Sequence, residues 1–193
     1  MTVLERQKKK RETAECILQK LKLIERWSEL GDSYLVGATA YDLMVSPDID
    51  IETFSPDPNP ERVMEMLAEV VSDPDVLEIK YRNYRHTPFA GCYFKLVYQY
   101  ENSEDWTIDM WLFHHDYSGP LSRDMVQPMN TALTKRDRGI ILTIKEFVRN
   151  TNKDVPSIYI YQSVLEGNVQ NVEEFFIWFE KQERSKFNTW KPV

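Results

Sequence analysis

Alternating acidic and apolar residues in the segment PDIDIETF constrain the fold more than any other feature of the chain. Side chains of a β-strand point alternately to its two faces. The pattern therefore predicts a strand in which Asp48 and Asp50 share one face while Ile49 and Ile51 occupy the other. Aspartate is depleted in strands, so the presence of two in one short strand requires an explanation. One explanation is that the strand lies at a solvent-facing edge, and the other is that the pair binds a metal ion.

A third acid, Asp109, lies within the apolar segment WTIDMWLF. This segment predicts a strand in which Trp111 and Phe113 continue the face that carries Asp109. Burying an unpaired carboxylate is costly, or forces the group to take up a proton. We therefore expect a partner for Asp109, either a basic side chain or a metal ion. A strand end where the carboxylate reaches water is the alternative.

The three carboxylates together predict a divalent metal site. Magnesium prefers oxygen ligands and is commonly bound through one or two carboxylates, with substrate phosphates and water completing the coordination. Asp48, Asp50 and Asp109 are the candidate ligands. Glu52 follows Asp50 on the same predicted strand face and is a candidate helper.

A glycine turn precedes the acidic strand, in the segment YLVGATAY. Glycine lets the backbone approach a ligand closely, and the first N–H groups of a helix can receive an anion. Gly37 is therefore a candidate phosphate-binding position, and the hydroxyl of Thr39 is a candidate further contact. A tight connection between a strand and a short helix explains the glycine equally well.

The periodicity of the remaining chain predicts an α+β fold. We expect residues 1–150 to form one domain that includes an N-terminal helix, and residues 151–193 to form a C-terminal helical extension packed on it. Strands are predicted at residues 34–36, 48–54, 76–84, 92–100 and 106–113. Helices are predicted before Gly31, at residues 38–44, 61–71 and 133–148, after Ser157, and from an N-cap at Asn171 onwards.

Composition narrows the classes of function. The formal charge of −7 argues against sequence-independent binding of nucleic acid, which usually requires a basic surface. A nucleotide and a small, compact acceptor are therefore the expected partners, and nucleic acid is not.

The sequence also predicts where the protein is located. We expect no membrane partner, because no apolar stretch is long enough to span a bilayer. The N-terminus lacks the pattern of a signal peptide, and Cys16 and Cys92 are far apart. A cytoplasmic location is the expectation, and the oligomeric state is left open.

Three motifs in this order resemble the nucleotidyltransferase superfamily, which is typified by DNA polymerase beta and by the kanamycin and lincosamide nucleotidyltransferases. They are the glycine turn LVGAT, the acidic strand PDIDI and the lone acid of TIDMW. The resemblance covers residues 34–113. It implies a mixed sheet flanked by helices, with the C-terminal helices as a variable addition.

The resemblance also implies a role for each residue. Gly37, Ala38 and Thr39 would contact the phosphates of a nucleoside triphosphate. Asp48 and Asp50 would bind two metal ions, Mg²⁺ or Mn²⁺. Asp109 would bind the metal nearer the attacking hydroxyl and help to deprotonate that hydroxyl. The family usually has glycine or serine after the first glycine, whereas Ala38 offers no hydroxyl.

The leading hypothesis is a metal-dependent enzyme that transfers a nucleoside monophosphate to a hydroxyl or phosphate of a small molecule or protein. The rival is a nucleotide-binding regulatory module with the same fold and little turnover, which Ala38 motivates. A polymerase-like or tRNA-directed enzyme is the third hypothesis, and the acidic balance weighs against it. Weaker site candidates, for which exposure to solvent is the simpler explanation, are His114, His115, Arg85, His86, Lys135, Arg138 and Lys145.

Overall fold

A five-stranded mixed sheet forms the centre of the protein, with the strand order β1-β2-β5-β4-β3. The computed structural model describes residues 1–101, 104–119, 121–183 and 188–192. The central pair, β2 and β5, is parallel, and every other neighbouring pair is antiparallel. The strands are β1 (Asp32–Val36), β2 (Asp48–Ser55), β3 (Val76–Asn83), β4 (Gly91–Gln99) and β5 (Asp105–His114).

Eight helices flank the sheet in the described part of the chain. They are α1 (Val3–Leu21), α2 (Leu23–Ser28), α3 (Gly37–Ala40), α4 (Pro60–Val70), α5 (Arg123–Ala132), α6 (Lys135–Asn150), α7 (Ser157–Leu165) and α8 (Val172–Phe179). The predicted α+β fold is thus confirmed. No helix among the described residues has the length and apolar character that crossing a bilayer demands.

One face of the sheet, which we call the back face, is buried under α1, α2 and α4. Alternate residues of the central strands, such as Ile51 and Met110, point into this core. Trp27 of α2 is buried there and its indole N–H lies 3.1 Å from the sulfur of Met110. Each large apolar side chain buried in this way contributes about 1.5–3 kcal/mol. Burial of the back face therefore fixes which residues point to the opposite, front face.

A second core joins the four C-terminal helices to the loop at residues 41–45. Tyr41 and Leu43 of the loop are buried against apolar side chains of α5 to α8, such as Met129 and Phe175. Residues of α7 and α8 are as deeply buried in this core as those of α6. The predicted boundary at residue 150 stays a prediction, and residues 184–187 and 193 of the predicted extension lie outside the described residues.

The structure departs from the predicted elements in three places. Lys22, with φ of 50°, divides the predicted N-terminal helix into α1 and α2. The helix predicted over residues 38–44 is shorter, because Asp42 takes the left-handed conformation. Helix α5 was not predicted at all. It contains Pro128, a residue that disfavours the helix interior, and this obscured the helical spacing of Met125 and Met129.

Candidate active site

The three predicted acids meet on the front face of the sheet. Parallel pairing of β2 with β5 sets Asp50 directly opposite Asp109, and Asp48 opposite Thr107. One carboxylate oxygen from each of Asp48, Asp50 and Asp109 lies within 4.8 Å of the others. The structure thus brings together residues that are about 60 positions apart in the chain, in a group that could hold a metal ion.

The acid cluster carries more negative charge than its surroundings neutralise. Burial, and then the charge of Asp109, raise the pKa of Asp48 to about 6. Burial, and then the charges of Asp48 and Asp109, hold the pKa of Asp50 well above its ordinary value. Lys145 opposes both shifts, and Lys95 opposes the shift of Asp48. A divalent cation among these oxygens would relieve the repulsion, so the residues fit the metal that the fold implies.

Asp109 has a hydrogen-bond partner that the sequence did not reveal. The hydroxyl of Tyr93 donates to a carboxylate oxygen of Asp109 at 2.5 Å. Burial, followed by this bond, raises the pKa of Tyr93. Lys95 is the strand partner of Asp109 across the β4–β5 pair. The sequence predicted a basic side chain or a metal ion as the partner of Asp109, whereas the hydrogen-bond partner in the structure is a tyrosine of β4. The alternation of CYFKLVY assigns Tyr93 to a strand face but does not identify the strand that it meets.

Gly37 is packed against the acid cluster. Its φ is +65°, and a Cβ atom at this position would lie 2.2 Å from a carboxylate oxygen of Asp50. Only glycine leaves room for that carboxylate. Ala38 lies beside the cavity described below, whereas Thr39 is fully buried and donates its hydroxyl to the Asp48 carbonyl oxygen at 3.0 Å. A phosphate contact through the Thr39 hydroxyl would require this bond to break.

A cavity of about 470 Å³ opens beside Asp48 and Asp50. A volume of this size is within the usual range of pockets for small molecules and cofactors. Its sheet side is formed by the acids, Gly37 and Ala38. Its helical side is formed by residues of α5, α6 and α7, which include Met125, Lys145, Arg149, Ser157, Ile158 and Tyr161. The wall is therefore acidic at one end, basic along α6 and apolar towards α7.

Lys145 corrects one interpretation of the sequence. The charged residues of α6 were interpreted as a solvated face, but Lys145 is buried. Its ammonium group donates to the Leu43 carbonyl oxygen at 2.8 Å and contacts the Tyr161 hydroxyl at 3.1 Å. Arg149 donates to the Val45 carbonyl oxygen at 2.6 Å, and Arg138 donates to the Tyr41 carbonyl oxygen. The three cations thus hold the loop at residues 41–45 in place through its carbonyl oxygens. Lys145 and Arg149 also line the cavity.

Glu52 has a structural partner of its own. Although it follows Asp50 on the front face, its carboxylate accepts backbone N–H bonds from Ser122 at 3.0 Å and Arg123 at 2.9 Å. Burial raises the pKa of Glu52, and these two bonds oppose the shift. Glu52 therefore anchors the start of α5, which brings Met125 to the cavity.

Apart from Lys145, the weaker candidates are absent from the cavity lining. His114 and His115 are part-exposed and exposed, respectively, at the end of β5, and their ring nitrogens lie 3.6 Å and 2.9 Å from carboxylate oxygens of Asp116. Arg85 and His86 are exposed in the loop between β3 and β4, and Lys135 is exposed at the start of α6.

The five-stranded mixed sheet flanked by helices has a nucleotidyltransferase-like fold. No known family model matches the chain, and no curated protein matches it in sequence. Among solved structures, it is similar to a cytoplasmic RNA terminal U-transferase, with a TM-score of 0.59 and 15% identity over 80% of this chain and 45% of that chain. It is also similar to Cid1 poly(U) polymerase with MgGTP bound, with a TM-score of 0.60 and 16% identity over 81% of this chain and 50% of that chain. The chain spans about half the length of these structures.

These similarities overturn one prediction. Net charge argued against nucleic acid as a partner, and this was wrong, because the similar structures belong to enzymes whose names describe work on RNA. A formal charge of −7 is a sum over the whole chain. Binding depends on the charges that face the ligand, which such a sum does not describe.

Replacement of Gly37 by alanine is expected to weaken metal binding more than it weakens the fold. The new Cβ would displace the Asp50 carboxylate, and the left-handed backbone would add about 1–2 kcal/mol of strain. We expect the affinity for Mn²⁺, measured by calorimetry, to fall by about tenfold or more. Gly139→Ala in α6 is the matched control, because a Cβ there meets no atom within 4 Å. Equal Mn²⁺ affinity in both variants would contradict the packing of Gly37 on Asp50.

Without metal, the acid cluster is expected to cost stability at high pH. The folded-state pKa of Asp48 is about 6, above the value of about 3.9 for a free aspartate. Protonation of Asp48 therefore stabilises the fold fully below about pH 4. This stabilisation is lost as the pH rises through 6.

Asp48→Asn removes this charge, so in the presence of a chelator the variant should be more stable than the parent at pH 8 by about 1–2 kcal/mol, with a smaller difference at pH 4.5. Urea unfolding at the two pH values measures the effect. The control is Asp105→Asn, at an exposed position of β5. A parent protein at least as stable as Asp48→Asn at pH 8 would count against the electrostatic account.

Proposed function

We propose that the chain catalyses metal-dependent transfer of a nucleoside monophosphate from a nucleoside triphosphate to a hydroxyl group. The observation that carries this proposal is the meeting of Asp48, Asp50 and Asp109 in one cluster, of which Asp48 and Asp50 line a cavity of about 470 Å³. The nucleotidyltransferase fold supports the same reaction class. A fold alone does not fix a function, so the geometry of the acids is the stronger support.

The carboxylates would hold the metal ions and receive the proton of the acceptor. Asp48 and Asp50, adjacent to the cavity, would bind both metals, and Asp109 would bind the one nearer the acceptor hydroxyl. Bound metal ions supply charge neutralisation on the phosphates and lower the pKa of the attacking hydroxyl. Asp109 is held by Tyr93 at 2.5 Å, which orients its carboxylate for that role.

The cavity would hold the nucleoside triphosphate. Gly37 and Ala38 would bring their backbone close to the phosphates, opposite the cations Lys145 and Arg149 of α6. The apolar wall and Tyr161 would receive the base. Because Lys145 is already hydrogen-bonded and buried, its ammonium group is held in place before the nucleotide arrives. Such preorganised positive charge is the main way in which proteins assist phosphoryl transfer.

An RNA 3′-hydroxyl is the first acceptor to test. The similar structures are an RNA terminal U-transferase and a poly(U) polymerase, and one of them holds MgGTP.

A cytoplasmic location is part of the proposal. Both cysteines of this chain are free, which agrees with a reducing compartment. The name of one similar enzyme describes it as cytoplasmic.

Removal of the Asp109 carboxylate should abolish transfer and leave the protein folded. With radiolabelled nucleoside triphosphates, Mg²⁺ and single-stranded RNA, we expect Asp109→Asn to reduce transfer by more than about 100-fold. Asp105→Asn, on the same strand face but exposed, should retain transfer.

Two results would contradict the proposal. One is a parent protein that transfers no nucleotide to RNA or to any screened hydroxyl acceptor. The other is an Asp109→Asn variant that is as active as its control. Tight Mg²⁺-dependent nucleotide binding without any product would instead identify the regulatory module that Ala38 motivated.

A further inference from the structure

The front face of β3, β4 and β5 carries exposed and half-buried cations beside aromatic rings. We call this surface the basic–aromatic face and define it by Lys80, Arg82, Tyr84, Phe89, Tyr93, Lys95 and Trp111. Arg82 is the strand partner of Tyr93, and Tyr93 is the strand partner of Trp111, so the members lie side by side across three strands. Tyr84 and Phe89 belong to the loop between β3 and β4.

The rings of this face form one connected group. Trp111 lies at its centre, with ring centroids 5.6 Å from Tyr84, 5.8 Å from Phe89 and 5.1 Å from Tyr93. Phe89 remains 39% exposed, and Tyr93 and Trp111 are half-buried. A packed cluster would explain contacts among the rings. It does not explain why the group stays open to solvent between cations.

The cations on this face are arranged unfavourably for an isolated sheet. Lys80 and Lys95 are direct strand partners, although like charges placed opposite each other destabilise a strand pair. Arg82 lies over the ring of Tyr84, with its guanidinium carbon 5.2 Å from the centroid. Among the described residues, neither Lys80 nor Arg82 forms a salt bridge. Lys95 has Asp109 as its other strand partner, so Lys80 and Arg82 are the cations that an anionic ligand would neutralise.

The basic–aromatic face is continuous with the acid cluster. Tyr93 donates to Asp109, and Trp111 follows Asp109 on the same strand face, about 7 Å further along at the usual rise of a strand. The cavity lies on the other side of the cluster, next to Asp48 and Asp50. Asp109 therefore stands between the cavity and the face.

We propose that the basic–aromatic face binds the unpaired 3′-terminal nucleotides of a nucleic acid acceptor and directs the terminal hydroxyl to Asp109. Bases stack on Trp111, Tyr84 and Phe89, while Lys80, Arg82 and Lys95 contact the phosphates. As an account of the acceptor, this inference rests on the proposed function. The binding of a single strand does not require that any transfer takes place.

The aromatic rings and the cations of this face together favour a single-stranded nucleic acid over other acceptors. Bases stack on aromatic side chains only when they are free of a partner strand. A polycationic small molecule would be repelled by Lys80, Arg82 and Lys95. A duplex offers phosphates to the cations but hides its bases from the rings.

Binding is measured without nucleotide and with a chelator, by fluorescence anisotropy of labelled ten-nucleotide RNA and DNA strands and of an RNA duplex. The parent protein should bind the single strands in a salt-dependent manner and bind the duplex at least about tenfold more weakly. Binding of both RNA and DNA would show that the face recognises the bases and phosphates and not the sugar. Binding of RNA alone would add recognition of the 2′-hydroxyl, and either result supports the proposal.

Two variants test the face, and each has a matched control. Arg82→Glu should weaken binding by about tenfold and reduce the salt dependence, whereas Arg62→Glu, exposed on α4, should not. Phe89→Ala should weaken binding by about tenfold, whereas Tyr81→Ala should not, because Tyr81 is 37% exposed but faces the back of β3. Thermal melts report whether each variant is folded.

The inference is overturned if the parent protein binds no single strand at low salt, if the duplex binds as tightly, or if the controls lose as much affinity as the variants. Transfer to a small hydroxyl compound without strand binding would preserve the proposed function and overturn this inference. Binding of a single-stranded nucleic acid that depends on Arg82 and Phe89, in a protein without transfer activity, would support this inference and contradict the proposed function.

Discussion

The parallel pairing of β2 with β5 is the interaction on which the site depends. It sets Asp50 opposite Asp109 and places three carboxylates within one ligand sphere. A shift of one residue in this register would turn the acids into the core and the isoleucines towards solvent. Burial of Ile49, Ile51, Ile108 and Met110 against α1, α2 and α4 opposes that shift. Apolar packing on the back face thus maintains a charged cluster on the front face.

The C-terminal helices complete the site through backbone contacts to one loop. Lys145, Arg149 and Arg138 of α6 donate to carbonyl oxygens of residues 41–45, between the glycine turn and the acidic strand. Glu52 holds the start of α5 by accepting bonds from the backbone N–H groups of Ser122 and Arg123. The cavity wall and the acids are therefore fixed to one another, and the repulsion within the cluster is balanced partly by Lys145, which lines the cavity.

Local sequence patterns were sufficient to predict the five strands and the faces on which the acids lie, because strand alternation assigns each side chain to a face without knowledge of its neighbours. The hydrogen bond from Tyr93 to Asp109 and the position of Lys95 opposite Asp109 could not be derived in this way, since both depend on which strands pair. Lys145 was misjudged because its spacing on α6 does not reveal that the loop at residues 41–45 covers it. Helix α5 was missed because Pro128 interrupts its pattern. Net charge misled about nucleic acid, because it averages over surfaces as different as the acid cluster and the basic–aromatic face.

The most direct test of the account is a crystal structure of the protein with Mn²⁺ and a non-hydrolysable nucleoside triphosphate. The account predicts anomalous density at about 2.0–2.2 Å from carboxylate oxygens of Asp48, Asp50 and Asp109. The triphosphate should lie in the cavity against Gly37, with Lys145 nearby. Nucleotide bound elsewhere, or metal that does not reach the three carboxylates, would contradict it.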